Sequence, residues 1–414
     1  MDRIKTLHTV TLDFDKCKGC ITCMRRCPTE AIRVRDGKAS VDFDKCIACG
    51  ECVRLCPHNA KKPAYDDVDV INNYKYKIAI PSPSLYGQFN NLTDVNYVLT
   101  GLLKIGFDDV MEVGKGAELA SETTRILFDR KNDDYPVIST ACPAVLELIL
   151  VKYHNLKDNL LNLLAPVDIT AKLARDRAIE KGIPPEDIGV FFISPCPAKV
   201  FALKCGIGVQ KPYVDGVLAN SDVYLKLLPV INKLSESEVK PLSKMSIIGL
   251  QWASSGGETA AAYRDKYLAA DGIENVINIL NSLEDGTLGE VEFIELGACT
   301  GGCVGGVMNI ENPFVAKARI RELRTKFPGT RNHLADEGKS LEFYLWEREP
   351  TVKDVFKLHK DRATAMERLL KINELMEELP QIDCGLCGAP TCRAFCEDKV
   401  GGVISMDQKC PRLK

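Results

Sequence analysis

The sequence predicts an α/β protein with smaller α+β modules at its two ends. Three observations carry that reading. A cysteine-rich repeat occupies the chain before residue 68, strand-length apolar runs alternate with longer amphipathic stretches from about Tyr74, and a second cysteine group follows a helical stretch at 361–379.

At 414 residues the chain is long enough for two or three domains and a sizeable core. Hydrophobic residues at 45% and charged residues at 27% make an ordinary globular balance, which argues against disorder. A formal charge of −3, with no long basic block, gives no general attraction to nucleic acid. No apolar stretch approaches the roughly twenty residues that span a bilayer. The start, Met1-Asp2-Arg3-Ile4-Lys5, lacks the apolar core of an export signal. A cytoplasmic protein is expected, with no nucleic acid and no membrane among its partners.

The eighteen cysteines are tightly grouped, eight between Cys17 and Cys56 and five between Cys384 and Cys410. A disulfide scaffold belongs to short exported chains and would spread its cysteines, so this grouping favours metal sites. Residues 13–32 (DFDKCKGCITCMRRCPTEAI) repeat as 42–61 (DFDKCIACGECVRLCPHNAK), with a period of 29 residues. Each copy holds C-x2-C-x2-C-x3-C-P, in which three thiolates wrap one iron–sulfur cube and the fourth ligates the other cube. The spacing therefore predicts one 4Fe–4S cluster on Cys17, Cys20, Cys23 and Cys56, and a second on Cys46, Cys49, Cys52 and Cys27. Zinc also accepts four thiolates, but its sites rarely use this spacing twice over. The repeat reads as a ferredoxin-like module, and such a module delivers electrons to whatever it is joined to.

From about Tyr74 the texture becomes α/β. Residues 76–80, 189–193, 246–250 and 291–296 are apolar runs of strand length, and 143–151 and 167–180 are amphipathic. Alternating strands and helices predict parallel sheet, whose loops beyond the strand carboxyl ends carry sites. Cys142 follows the short run Pro136-Val137-Ile138, Cys196 follows 189–193, and Cys299 and Cys303 follow 291–296. Brought together, the four could hold another 4Fe–4S cluster, and Gly301, Gly302, Gly305 and Gly306 leave room for a bulky inorganic group. Each cysteine taken singly reads equally well as a small buried hydrophobe.

These three segments resemble the signature motifs of the iron-only (FeFe) hydrogenases, Thr-Ser-Cys-Cys-Pro, Pro-Cys-x-x-Lys and Ala-Cys-x-x-Gly-Cys, over roughly residues 75–350. Residues 252–264 (WASSGGETAAAYR) resemble the family's glycine-rich stretch between the second and third motifs. The resemblance implies that Cys142, Cys196, Cys299 and Cys303 hold a 4Fe–4S cluster. It further implies that Cys303 bridges this cluster to a diiron unit carrying CO, cyanide and a dithiolate, the six-iron H-cluster. Lys199 makes independent sense as a cyanide anchor, because cyanide is negative and accepts hydrogen bonds.

The departures from the motifs are informative. Ala141 replaces the cysteine that relays protons in the family, and a methyl group cannot carry a proton. Ser194 and Gly297 replace two methionines that pack around the diiron unit, which predicts a roomier, more polar or wetter pocket. Ala202 replaces a glutamate. These changes resemble the divergent, sensory-type branch of the family and imply slow turnover.

Residues 361–379 place Met366, Leu369, Leu370, Ile372, Leu375, Met376 and Leu379 at helical spacing. The stripe reads as a helix packed on the core, with a homodimer seam as the alternative. Beyond Pro380, C-x2-C-x4-C and a distant Cys410 resemble a small 4Fe–4S domain found behind sensory-type hydrogenases, with Cys384, Cys387, Cys392 and Cys410 as ligands. Cys205 and Cys396 are left as structural.

The expected architecture is a ferredoxin-like domain at 1–68, a two-lobed α/β hydrogenase domain at 69–350, a helical linker at 351–379 and a C-terminal 4Fe–4S domain at 380–414. The expected activity is the interconversion of H2 with protons and electrons, in a slow enzyme or a hydrogen sensor that works with a redox or signalling protein. An iron–sulfur scaffold or electron-transfer protein lacking the diiron unit is the alternative.

Overall fold

The computed structural model describes residues 8–130, 136–263 and 265–413. Residues 1–5, read above for the lack of an export signal, lie outside that range.

The two halves of the cysteine repeat fold around two small ribbons. Strand β1 (Val10–Leu12) pairs antiparallel with β4 (Lys61–Pro63), which ties the start of the repeat to its end. Strands β2 (Ile32–Arg35) and β3 (Lys38–Val41) form a hairpin. Its turn is Asp36-Gly37, both with positive φ, the backbone that a two-residue hairpin turn requires. The short helices Thr22–Arg25 and Glu51–Arg54 occupy equivalent places in the two cysteine runs.

Seven strands follow: β5 (Tyr76–Pro81), β6 (Asp109–Val110), β7 (Val137–Ile138), β8 (Ile188–Ser194), β9 (Gly216–Ala219), β10 (Tyr267–Asp271) and β11 (Phe293–Gly297). They build two parallel sheets, one in the order β6-β5-β8-β9 and the other in the order β10-β11-β7. All seven residues of β8 are buried, as expected for a central strand covered by helices on both faces. Alternation along the strands feeds two separate cores. Ile78, Ile80, Val190 and Phe192 join one, and Ala79, Phe191 and Ile193 join the other.

Two expectations need correction. The run 246–250 is not a strand: Ile247–Gln251 is a helix, with the Ser246 hydroxyl accepting from the Ile248 amide at 3.2 Å. A five-residue apolar run fits a buried helix as well as a strand. Here Gly249 decides, because a Cβ there would stand 2.3 Å from the Gly114 carbonyl oxygen of helix Val113–Arg130. The helix expected at 361–379 forms as Arg362–Glu377 behind an Asp361 cap, but it does not lie on the main core. It packs against helix Cys392–Val400, and Ile372 is its one fully buried residue, while Met366 and Leu370 stay more than half exposed. No helix among the described residues is long and apolar enough to cross a membrane.

Candidate active site

The site is assembled at the carboxyl ends of three strands. After β7, Ser139-Thr140-Ala141-Cys142 leads into helix Pro143–Lys152. After β8, Pro195-Cys196 leads into helix Pro197–Cys205. Cys142 and Cys196 each take the cap position before a proline in the first helical turn, with extended backbone angles. The proline enforces this, since it disfavours the helical region for its predecessor and is tolerated at a helix start. After β11, the loop 298–306 carries Cys299 and Cys303. Gly302 has φ +89°, and a Cβ there would lie 2.4 Å from the Ser255 amide nitrogen, so only glycine lets the two loops touch.

All four cysteines line one cavity of about 980 Å³, counting its open mouth. Lys199, Ala141 and Gly297 line it as well. Burial, and beyond it the neighbouring Cys303 and Cys142, push the Cys196 thiol up to about 11 against the pull of Lys199. Burial likewise pushes Cys299 up, with Cys196, Cys142 and Cys303 adding to it. Four cysteines facing a void, two of them with thiols pushed up by burial, are a poor arrangement for a bare protein. They suit a cationic group that holds all four as thiolates. Among the described residues, no three Cys, His, Asp or Glu side chains stand close enough to share a single metal ion. A four-iron cube asks for a wider set, with each thiolate on a different iron.

Lys199 Nζ lies 3.4 Å from Cys303 Sγ. Burial lowers the affinity of this lysine for its proton, but Cys303, Cys196 and Cys142 outweigh burial and hold it cationic. Gly297 leaves open space: a Cβ there would meet no atom nearer than 3.9 Å. Ser194 does not line the cavity. Its hydroxyl turns back to Cys196, accepting from the amide at 3.4 Å and reaching the carbonyl at 3.2 Å. The wall is apolar over much of its extent, through Pro83, Val113, Val167, Phe192 and Leu296. The added room comes from Gly297 alone of the two replaced positions. Ala202 stands outside the cavity wall.

Three polar residues of the cavity wall were not singled out from the sequence. The Ser139 hydroxyl donates to Glu258 Oε2 at 2.6 Å and accepts from the Ala141 amide at 3.2 Å. Glu258 and Glu295 both line the cavity. Burial, then the charge of Glu295, push the Glu258 carboxyl up to about 8. Glu295 is also raised by burial, although it accepts from the amides of Gly256 and Thr259. A protonatable carboxyl thus stands beside the position where Ala141 carries none. Glu258 lies within the glycine-rich stretch 252–264, which was the available signal. Glu295 is a lone acid in an apolar strand.

The N-terminal cysteines gather in two neighbouring groups. Burial first, then Cys20, Cys56 and Cys17, push Cys23 up to about 11 against Lys61, and these four line one pocket. Cys46, Cys49 and Cys52 are raised by burial and feel Cys27 rather than Cys56. At the other end Cys384, Cys387, Cys392 and Cys410 line one pocket, and Cys396 is buried outside it. Cys205 lies apart, its thiol pushed up to about 11 by burial and by Glu147.

Two parallel sheets, a four-cysteine cavity and flanking cysteine modules suit an iron–sulfur protein. The family described as iron only hydrogenase large subunit, C-terminal domain, matches residues 75–267 and 258–307. Those spans cover more than half of the chain, which belongs to that family. A 4Fe-4S dicluster domain matches residues 9–57, and an Fe-S cluster family matches residues 379–411. A comparison with curated proteins finds no match. Solved structures that resemble it include two single-residue variants of the FeFe-hydrogenase HydA1 from Chlamydomonas reinhardtii. They are 13% and 15% identical, with TM-scores of 0.52 and 0.50, and each match covers 70% of this chain and 97% of that one. A third is an FeFe-hydrogenase studied for oxygen inactivation initiated at its H cluster 2Fe subcluster, at 14% identity, TM-score 0.50 and the same coverage. At such identities the likeness is one of fold.

Proposed function

We propose that the chain interconverts H2 with protons and electrons at a six-iron site in the cavity. Four 4Fe–4S clusters are held by Cys17, Cys20, Cys23 and Cys56; by Cys27, Cys46, Cys49 and Cys52; by Cys142, Cys196, Cys299 and Cys303; and by Cys384, Cys387, Cys392 and Cys410. Cys303 also holds a diiron unit with CO, cyanide and dithiolate ligands. The domain boundaries are those set out above. The observation that carries the reading is Lys199 Nζ at 3.4 Å from Cys303 Sγ, inside a cavity that all four cysteines line. A buried cation at that distance is placed to hold a cyanide by a charge-assisted hydrogen bond.

When bound, the diiron unit would supply the redox and H2-binding chemistry. The protein's part is to orient and to move protons. Lys199 would hold the unit by a cyanide, and the apolar wall would exclude water from most of the cavity. Glu258, protonated at neutral pH and hydrogen-bonded to Ser139, gives and takes protons on the side where Ala141 offers no acid. Glu295, beside it in the wall, continues the route. This route stands in for the missing thiol without its placement, so turnover is slow, which suits a hydrogen sensor served by a separate redox or signalling protein.

Infrared spectroscopy of matured protein tests the reading, because CO and cyanide absorb where polypeptide does not. Bands of both are expected, and Cys303→Ala should lose them while keeping the N-terminal clusters. Bands that persist unchanged in Cys303→Ala would overturn the assignment. Their absence from fully matured wild type would move the protein to the scaffold alternative.

A further inference from the structure

The C-terminal unit does not trail away from the molecule. The Val34 amide of β2 donates to the Gly388 carbonyl at 2.9 Å, so the hairpin edge is continued by the C-terminal cysteine loop. A Cβ at Gly388 would lie 2.0 Å from the Val34 carbonyl oxygen, and one at Gly385 would lie 3.0 Å from Met24 and 3.2 Å from Ile21. Ile21 and Met24 flank Cys23, and Gly385 sits between Cys384 and Cys387. Asp398 clamps the contact. It accepts from Arg33 through both oxygens, at 2.7 and 3.1 Å, in a pair about one-tenth exposed, and also from Arg35.

The opposite side of the N-terminal unit meets the cavity. Ile47 and Ala48 are buried in the same core as Ala198 and Ala298, neighbours of Lys199 and Cys299. Arg54 donates to the Gly305 carbonyl at 2.8 Å, and a Cβ at Gly50 would lie 2.8 Å from Val307. The two N-terminal sets adjoin each other, since Cys17, Cys23 and Cys56 of one pack in a single small core with Cys27 and Cys52 of the other. The four cysteine sets therefore stand in series: the cavity, the Cys27/46/49/52 set, the Cys17/20/23/56 set, and the C-terminal set. At the far end, Ile382 and Leu386 beside Cys384 are more than half exposed.

We propose that the C-terminal set is the outer port of one electron route, held in line by the Asp398 clamp. The proposal rests on the ligand assignment given above. In H2 oxidation each H2 leaves two electrons at the cavity and two protons on the Glu258 side. The electrons travel outward one at a time through both N-terminal sets and reduce two equivalents of a one-electron carrier at the C-terminal set. H2 formation runs the same route inward, with the reduced carrier oxidised.

The test uses matured full-length protein, comparing wild type, Asp398→Arg, and the charge swap that combines Asp398→Arg with Arg33→Asp and Arg35→Asp. Iron and sulfide are assayed first, the magnetic interaction between reduced clusters is read by electron paramagnetic resonance, and exchange of the Val34 amide reports docking. Wild type should show the C-terminal cluster broadened by a reduced neighbour. Asp398→Arg should keep its iron but lose both the broadening and the Val34 protection, and the swap should restore both. Full iron with a C-terminal signal that is already isolated in wild type would overturn the series. Iron short by one cluster in wild type would overturn the ligand assignment, and the port with it.

Discussion

At the scale of single residues, Ala141 and Glu258 have to be read together. The cavity loses its thiol at Ala141 yet keeps a carboxyl tied to Ser139 two positions away. Positioned acid–base groups contribute about 10²- to 10⁴-fold. Glu258→Gln keeps the shape and a hydrogen-bond partner for Ser139 but cannot ionise. Turnover of the matured variant should fall by about 10²-fold, the low end of that range, with CO and cyanide bands unmoved. Unchanged turnover would remove Glu258 from the proton route. Ala141→Cys should raise the rate only modestly, because Ala202, which by the resemblance replaces a glutamate, leaves the rest of the path altered. A large gain would mean that the thiol was the sole missing link.

The same carboxyl has a signature in stability. An unfolded glutamate titrates near about 4.3, whereas burial raises Glu258 to about 8 in the folded chain. Below the unfolded value both states are protonated and the contribution is fully present. As pH rises the unfolded chain ionises first, so stability is lost progressively until the folded value is passed. The melting temperature of wild type relative to Glu258→Gln should therefore fall between about pH 5 and pH 8. Parallel melting curves for the two proteins across that range would contradict the raised carboxyl.

At the scale of elements, the loop after β11 is the most constrained part of the site. Gly302 adopts a φ that side chains rarely take, and its closest would-be contacts are backbone atoms of Ser254 and Ser255. Backbone of that kind cannot yield as a flexible side chain would. Gly302→Ala should displace Cys303, and reconstituted protein should lose about four irons, one cluster's worth, while the N-terminal clusters persist. A variant with full iron content would show that the loop tolerates the displacement. The helix Ile247–Gln251 teaches a related lesson. Its apolar run reads as a strand until Gly114 and Gly249 are seen to let two helices meet, a pairing across more than a hundred residues that no local pattern announces.

At the scale of the whole molecule, the cysteines divide the work. Sixteen of the eighteen lie in four sets, so anaerobic reconstitution without the diiron unit should yield about sixteen irons and about sixteen sulfides per chain. Stoichiometric zinc at either end would overturn the assignment there. The helix Arg362–Glu377 belongs to this scale too. Its apolar stripe was legible, but its partner proved to be the C-terminal unit rather than the α/β core.

The sequence by itself determined the local chemistry. Thiolate spacing in C-x2-C-x2-C-x3-C-P is set by the reach of adjacent residues around one cube, so the grouping of the N-terminal cysteines and the α/β class could be read from order alone. The proline after Cys142 and the one after Cys196 likewise carry their backbone consequences with them. Only the tertiary structure decided what depends on residues far apart in the chain. It turned Ser194 away from the cavity, set Glu258 beside Ser139 and Glu295, and folded the C-terminal cysteines back onto β2 through Asp398. Burial and long-range approach create those relations, and neither has a spacing that a sequence can display.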